Sequence, residues 1–282
     1  MWELVEDALI DSLKMLPFLF AAYFIIEYIE HKSSDKLVNG LRKYGVIGGA
    51  VLGSLPQCGF SLAASNLYAG RIITTGTLIA VFISTSDEAI PILLSSRTDI
   101  NLILFLLAVK IALAVAAGLM ADYLFKGLFN HRNNEEISSS IHRHVCTDCG
   151  CHGHEGILKP ALKHTINIFI FLLFTNLFLN SLIELAGQDN LSQILLRDSI
   201  FQPALAGAIG LIPNCAASII LTRMFLEGSI SFGSAIAGLS TGAGVGLLVL
   251  FRMNRNIKEN LMITLYIYVF SILAGSLIQM LL

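Results

Sequence analysis

Charge is scarce in this sequence. Asp, Glu, Lys and Arg make up 13% of its 282 residues, against about 25% in a soluble globular domain, so a water-soluble fold does not account for the chain. The first twelve residues hold Glu3, Glu6, Asp7 and Asp11 but no Lys or Arg. A cleaved signal peptide starts with a basic segment, and this opening reads instead as a short amphipathic surface helix. No G-x-x-x-x-G-K-[ST] phosphate loop is present, so no ATP-driven step is expected on this chain. No H-E-x-x-H and no nucleophile–base pair appear, so an enzyme is not expected. The alternation of a transmembrane β-barrel is missing too. The formal net charge of −2 points to no charged partner, and nucleic acid is not expected.

Long apolar runs are what the chain has. They fall at about 13–30, 45–69, 76–96, 100–125, 161–185, 203–225, 232–251 and 259–281. Each reaches the length needed to cross a hydrocarbon layer roughly 30 Å thick as a helix. The expectation is an all-α integral membrane protein with about eight to ten membrane helices, two of the segments broken or re-entrant. One polar stretch interrupts the runs, which divides the chain into a first membrane repeat at 1–125, a polar Cys/His-rich loop at 126–160 and a second membrane repeat at 161–282.

The halves repeat each other. Gly53-Ser54-Leu55-Pro56-Gln57-Cys58-Gly59-Phe60-Ser61 is matched by Gly210-Leu211-Ile212-Pro213-Asn214-Cys215-Ala216-Ala217-Ser218, 157 residues later. The register continues from Gly76 to Gly233, Thr77 to Ser234 and Ser84 to Thr241. Internal duplication with Pro/Gly-interrupted apolar segments at corresponding places marks the binding site of a secondary transporter. Each interrupted segment is either one kinked span or a re-entrant hairpin with Pro-x-Cys at its tip. Lys32, Lys36, Arg42 and Lys43 place loop 31–44 in the cytoplasm, and Arg252, Arg255 and Lys258 do the same for loop 252–258. Asp189 and Asp198 against Arg197 make loop 186–200 external. The hairpin reading satisfies all three, with Arg71 and the 126–160 loop inside and both termini outside. The halves then form an inverted repeat.

Three constellations carry chemistry. At the tips, a broken helix leaves backbone groups unpaired, which is tolerated only beside protein or a water-filled cavity. Gln57, Cys58, Ser61, Asn214, Cys215 and Ser218 would line such a cavity. Cys58 and Cys215 are either soft-metal or arsenic(III) ligands as thiolates or small packing residues. Next, Ser84-Thr85-Ser86-Asp87-Glu88 places two carboxylates inside an apolar span, where they are costly unless they meet an ion, a partner or a cavity. Their oxygens suit a hard or borderline divalent cation. Lys110, inside the next span, is placed to pair with one of them or to take part in coupling. The second half has Thr241 here but no acid. Finally, His142, His144, Cys146, Cys149, Cys151, His152 and His154 lie within thirteen residues, a density that signals zinc or another bound metal on the 142–155 loop. No tightly bound cofactor is expected in the membrane part. Arg223 and Glu227 are spaced for an exposed pair.

Together with the Gly156-Ile157-Leu158-Lys159-Pro160 opening of the second half, these motifs resemble the ten-transmembrane heavy-metal exporters of bacteria and archaea. These are ArsP-like permeases labelled arsenic efflux proteins or manganese transporters. The resemblance implies a multi-pass protein of a prokaryotic plasma membrane that exports arsenite or a divalent metal such as manganese by alternating access around a midplane site. The expected partners are the ion and the bilayer, with a homodimer allowed. A channel or importer using the same site, and a metal sensor built on the loop, remain alternatives.

Overall fold

The computed structural model describes residues 35–86, 88–96, 99–125 and 201–281, and helical positions at 13, 16–17, 20–21, 24, 162, 165–171, 173–175 and 177–178. Asp87 and the predicted metal-binding loop from His142 to His154 lie outside the described residues, as does the whole 126–160 segment. Every described element is a helix. The first half gives α1 (Asp35–Gly53), α2 (Gly59–Ala69), α3 (Thr75–Ser84), α4 (Ala89–Ser95) and α5 (Ile100–Phe125). The second gives α6 (Gln202–Gly210), α7 (Cys215–Leu226), α8 (Phe232–Thr241), α9 (Val245–Met253) and α10 (Ile257–Leu281).

The sequence repeat reappears in the structure as matched caps and close helix contacts. Thr74 caps α3 by accepting from the Thr77 amide at 3.1 Å, and Ser231 caps α8 by accepting from the Ser234 amide at 3.1 Å. A short hydroxyl oxygen at this position satisfies one of the orphan donors of the first turn. Four glycines let helices touch backbone to backbone at matched positions. Gly76 lies on the Gly118 carbonyl, and Gly233 lies on the Gly275 carbonyl; a Cβ added to either would fall 2.2 and 2.3 Å from that oxygen. Their partners differ in one respect. Asp122 accepts from the Gly76 amide at 2.7 Å, whereas its repeat-mate is Gln279.

Contacts along the helices fix their directions. Gly45 lies against Thr77 and Gly53 against Ser84, so α1 and α3 run the same way. The chain must therefore double back through α2 between them. In the second half Gln202 bonds to Ser231 and Ser234, and Gly210 lies against Gly238 and Thr241, so α6 and α8 are parallel and α7 returns. Both interrupted segments are hairpins, with tips at 54–58 and 211–214. The long helices α5 and α10 run back along α3 and α8 (Gly118 against Gly76, Gly275 against Gly233). Arg71, just before α3, bonds to Glu259 at the start of α10. Phe232 at the start of α8 stacks on Phe105 near the start of α5, with ring centroids 5.4 Å apart. The α3–α4 and α8–α9 rods consequently run in opposite directions.

Among the described residues, four segments are long and apolar enough to cross a membrane: Thr75–Ser95 and Phe232–Met253, each interrupted, and Ile100–Phe125 and Ile257–Leu281, each continuous. The interrupted pair is 71% and 83% buried within the protein, the continuous pair only 33% and 28%. The broken helices thus form the centre and the unbroken ones the wall. Leu261, Leu265, Val269, Leu273 and Leu277 stand exposed at four-residue intervals along α10, a continuous apolar stripe that only an apolar surrounding would cover. Unbroken helices suit that place because all their backbone groups are paired internally.

Candidate functional site

Each hairpin tip is built the same way. The Gln57 amide donates to the Leu55 carbonyl, and the Asn214 amide to the Ile212 carbonyl, both at 2.7 Å. Ser61 Oγ donates to the Cys58 carbonyl, and Ser218 Oγ to the Cys215 carbonyl, both at 2.8 Å. Proline at 56 and 213 has no N–H to continue the preceding helix, and these local bonds take over. The two serine hydroxyls expected to face a ligand therefore spend their protons on the tip itself and can offer only lone pairs outward. Asn214 is extended and accepts from the Ala216 amide at 3.4 Å as the cap of α7; Cys58 at the corresponding helix start makes no side-chain cap. Cys58 and Cys215 are half-buried free thiols.

Each tip packs against the break of the opposite half. Ser61 lies on Gly246 at the start of α9, where an added Cβ would fall 2.8 Å from Ser61 Cβ. Ser65 Oγ reaches the Gly246 carbonyl at 2.7 Å. Across the repeat, Ala217, Ile220 and Leu221 of α7 share an apolar cluster with Ala89 and Leu93 of α4. The first tip thus stands by the glycine-rich 242–244 break. The second stands by the break between α3 and α4, flanked by Ser84, Ser86 and Glu88. Ser84, Thr85 and Ser86 are buried there, and Glu88, at the start of α4, is half-buried. Ser84 and Thr241 bond back to their own helices, to the Val81 and Gly238 carbonyls.

Lys110 joins the two breaks. It is fully buried, and its ammonium donates to the Thr85 carbonyl at the end of α3 and, at 2.9 Å, to the Leu239 carbonyl near the end of α8. Helix C-terminal carbonyls carry partial negative charge, and a cation between two of them is stabilised. The sequence pointed to Lys110 as a partner for a carboxylate; its bridging of both halves was not foreseeable from one span. The repeat supplies a second clue. Lys110 corresponds to Ile267, Asp87 to Gly244 and Glu88 to Val245, so at these positions both signs of charge are present in the first half and absent from the second.

Among the described residues, no three Cys, His, Asp or Glu side chains gather as a metal cage. The donors available at each tip are one thiol, one amide, serine lone pairs and carbonyls at a broken helix, with carboxylate on the α4 side alone. An apolar cavity of about 290 Å³ lies along the first hairpin, lined by Gly45, Gly48, Leu52, Phe60, Leu67 and Thr77 among others, and none of the predicted site residues lines it. Arg223 and Glu227 are exposed and make no ion pair with each other. Sequence reasoning missed Glu259, a carboxylate near the start of the last apolar run. Its sequence context, the polar stretch Asn254-Arg255-Asn256-Ile257-Lys258-Glu259-Asn260 at the edge of that run, reads as an exposed loop and gave no signal.

No curated protein and no solved structure matches the chain. A family of membrane proteins does match it, over residues 2–186 and 166–282 together. The chain belongs to that family, described as "Putative, 10TM heavy-metal exporter".

Proposed function

We propose that this protein exports a metal or metalloid ion as a secondary transporter, by alternating access around the two crossed tip-and-break pairs. The observation that carries the reading is the exchange itself: each hairpin tip packs on the other half's broken helix, and Lys110 ties the two breaks together. A passing ion held between such elements contacts both halves, so a small relative movement of the halves changes which end it faces. The opposite directions of the α3–α4 and α8–α9 rods support an inverted repeat of two re-entrant hairpins, the arrangement that makes inward- and outward-facing states near-mirror images.

The substrate reading follows from the donors. Thiols at Cys58 and Cys215 favour arsenite or a soft metal, while the carboxylates at Asp87 and Glu88 with the amides of Gln57 and Asn214 favour a harder cation such as manganese. The stronger set is the second tip with the first break, because only it combines thiol and carboxylate. Cells expressing wild type, Cys58→Ser, Cys215→Ser, Asp87→Asn or a form lacking 126–160, challenged with arsenite, manganese, zinc and cadmium, test this. Lower accumulation in wild type and loss of that protection in Cys215→Ser and Asp87→Asn are expected. If neither change alters the handling of any ion that wild type moves, the site assignment fails. Flux into inside-out vesicles separates export from import.

A further inference from the structure

We propose that Tyr68, Arg71 and Glu259 form a one-sided latch that closes the protein at the end where the 70–74 turn meets the start of α10, and that opens when the site is exposed to that side. The proposal rests on the alternating-access reading, but its test does not use the transported ion.

The Glu259 carboxylate is almost wholly enclosed, with 3% of its side chain exposed, and its oxygens are fully engaged. Arg71 donates to both of them, at 2.7 and 3.1 Å; Tyr68 donates its hydroxyl to one; Asn256 donates to the other at 3.2 Å. Such a two-pronged guanidinium–carboxylate pair is strong and geometrically specific. Tyr68 and Arg71 belong to the returning arm of the first hairpin and its turn. Glu259 and Asn256 belong to the second half. The cluster therefore fastens the arm that carries Cys58 and Ser61 to the opposite half.

The repeat shows that this contact is an addition to the fold. The backbone at Arg71 has φ 59°, and its mate Gly228 has φ 68°. The turn needs a left-handed residue in both halves, and glycine is the unstrained choice. The first half keeps an arginine there despite the strain, and its side chain makes the pair. The mates of Tyr68 and Glu259 are Phe225 and Leu102, so the second half cannot build the equivalent. At the far end, among the described residues, Phe105 of one half stacks on Phe232 of the other, while Gln202 bonds to Ser231 and Ser234 of its own half. A staple meant only to hold the halves together would serve at both ends of a duplicated protein. A charged pair at one end gives that end a discrete, breakable closure. Arg71 is also 40% exposed, so its guanidinium can be taken up by water when the contact opens.

The test measures access to the tips. In a background with Cys146, Cys149 and Cys151 changed to serine, Cys58 and Cys215 are labelled with a membrane-impermeant maleimide in vesicles of both orientations. Lys258→Cys marks the latch end and Glu227→Cys the far end. Arg71→Gly, which installs the residue of the repeat-mate, removes the pair without adding backbone strain; Glu259→Gln removes it from the other partner. Each is expected to raise labelling of Cys58 from the latch end by roughly fivefold or more, the population shift that follows when one of two states loses a charged contact. The exchange Arg71→Glu with Glu259→Arg is expected to move labelling back toward wild type. Unchanged labelling in both single variants overturns the latch, and so does an equal rise from both ends, which is general loosening. Because no ion is transported, these results stand apart from the export assay.

Discussion

At the scale of single residues, glycine decides where helices can meet. Gly233 has no room for a side chain: an added Cβ would stand 2.3 Å from the Gly275 carbonyl and 2.7 Å from the Gln279 amide nitrogen. Both obstacles are backbone of a packed helix, so relief requires α8 and α10 to separate. Gly48 in α1 has nothing within 4 Å of the same added atom. The two positions are alike in sequence context, each a glycine in an apolar helix, and opposite in consequence. Gly233→Ala is expected to destabilise by about 1–3 kcal/mol or more through overpacking, read as a lower unfolding temperature in detergent. Gly48→Ala is expected to be neutral or slightly stabilising, by up to about 1 kcal/mol from helix propensity. Equal melting of the two variants would contradict the packing described for α8 and α10.

At the scale of elements, the broken helices ask what replaces their lost backbone bonds. The second break uses glycine: Gly244 takes φ 54° at the start of α9. The first break uses charge, with Lys110 holding the Thr85 and Leu239 carbonyls. Lys110→Ile, which copies Ile267, removes two charge-assisted bonds and is expected to cost about 3 kcal/mol. If the lysine also balances the acids of the Ser86-Asp87-Glu88 run, installing the other repeat-mates, Asp87→Gly and Glu88→Val, should return at least ~1 kcal/mol of that loss. Thermal unfolding of the single, double and triple variants closes the cycle, and strictly additive losses would show no coupling. Much of this was legible in the sequence. The Pro-x-Cys repeats located the hairpin tips, and the acid run located the first break. What single spans cannot reveal is exchange between halves. Nothing in Ser61 or Ala217 says that the first tip will rest on Gly246 and that the second will share an apolar cluster with α4, because packing partners depend on how two whole repeats interlock. The serine hydroxyls follow a local rule as well. A Ser three residues after a helix-breaking tip can bond back to the tip carbonyl, and that local bond takes its proton before any ligand arrives.

At the scale of the whole molecule, the hairpins fix which ends of the chain segments share a side. The turn with Arg71 and the segment with Arg255 and Lys258 meet at one end through Glu259. The 227–231 turn sits at the other, since α8 begins there and runs opposite to α3. Cationic residues concentrate on cytoplasmic loops, so the side expected for the Arg71 end is the cytoplasm. A chain of kinked spans would instead place the residues before α1 and those before α3 on opposite sides, because the α1–α2 segment would then cross once. Single cysteines at Lys43, Lys258 and Glu227, in a background without other reactive thiols, distinguish the two. Hairpins predict that Lys43→Cys and Lys258→Cys label only in inside-out vesicles and Glu227→Cys only in right-side-out ones. Labelling of Lys43→Cys and Lys258→Cys from opposite sides would mean that the first interrupted segment crosses the membrane, and the two halves could not then share a pair of inward-reaching tips.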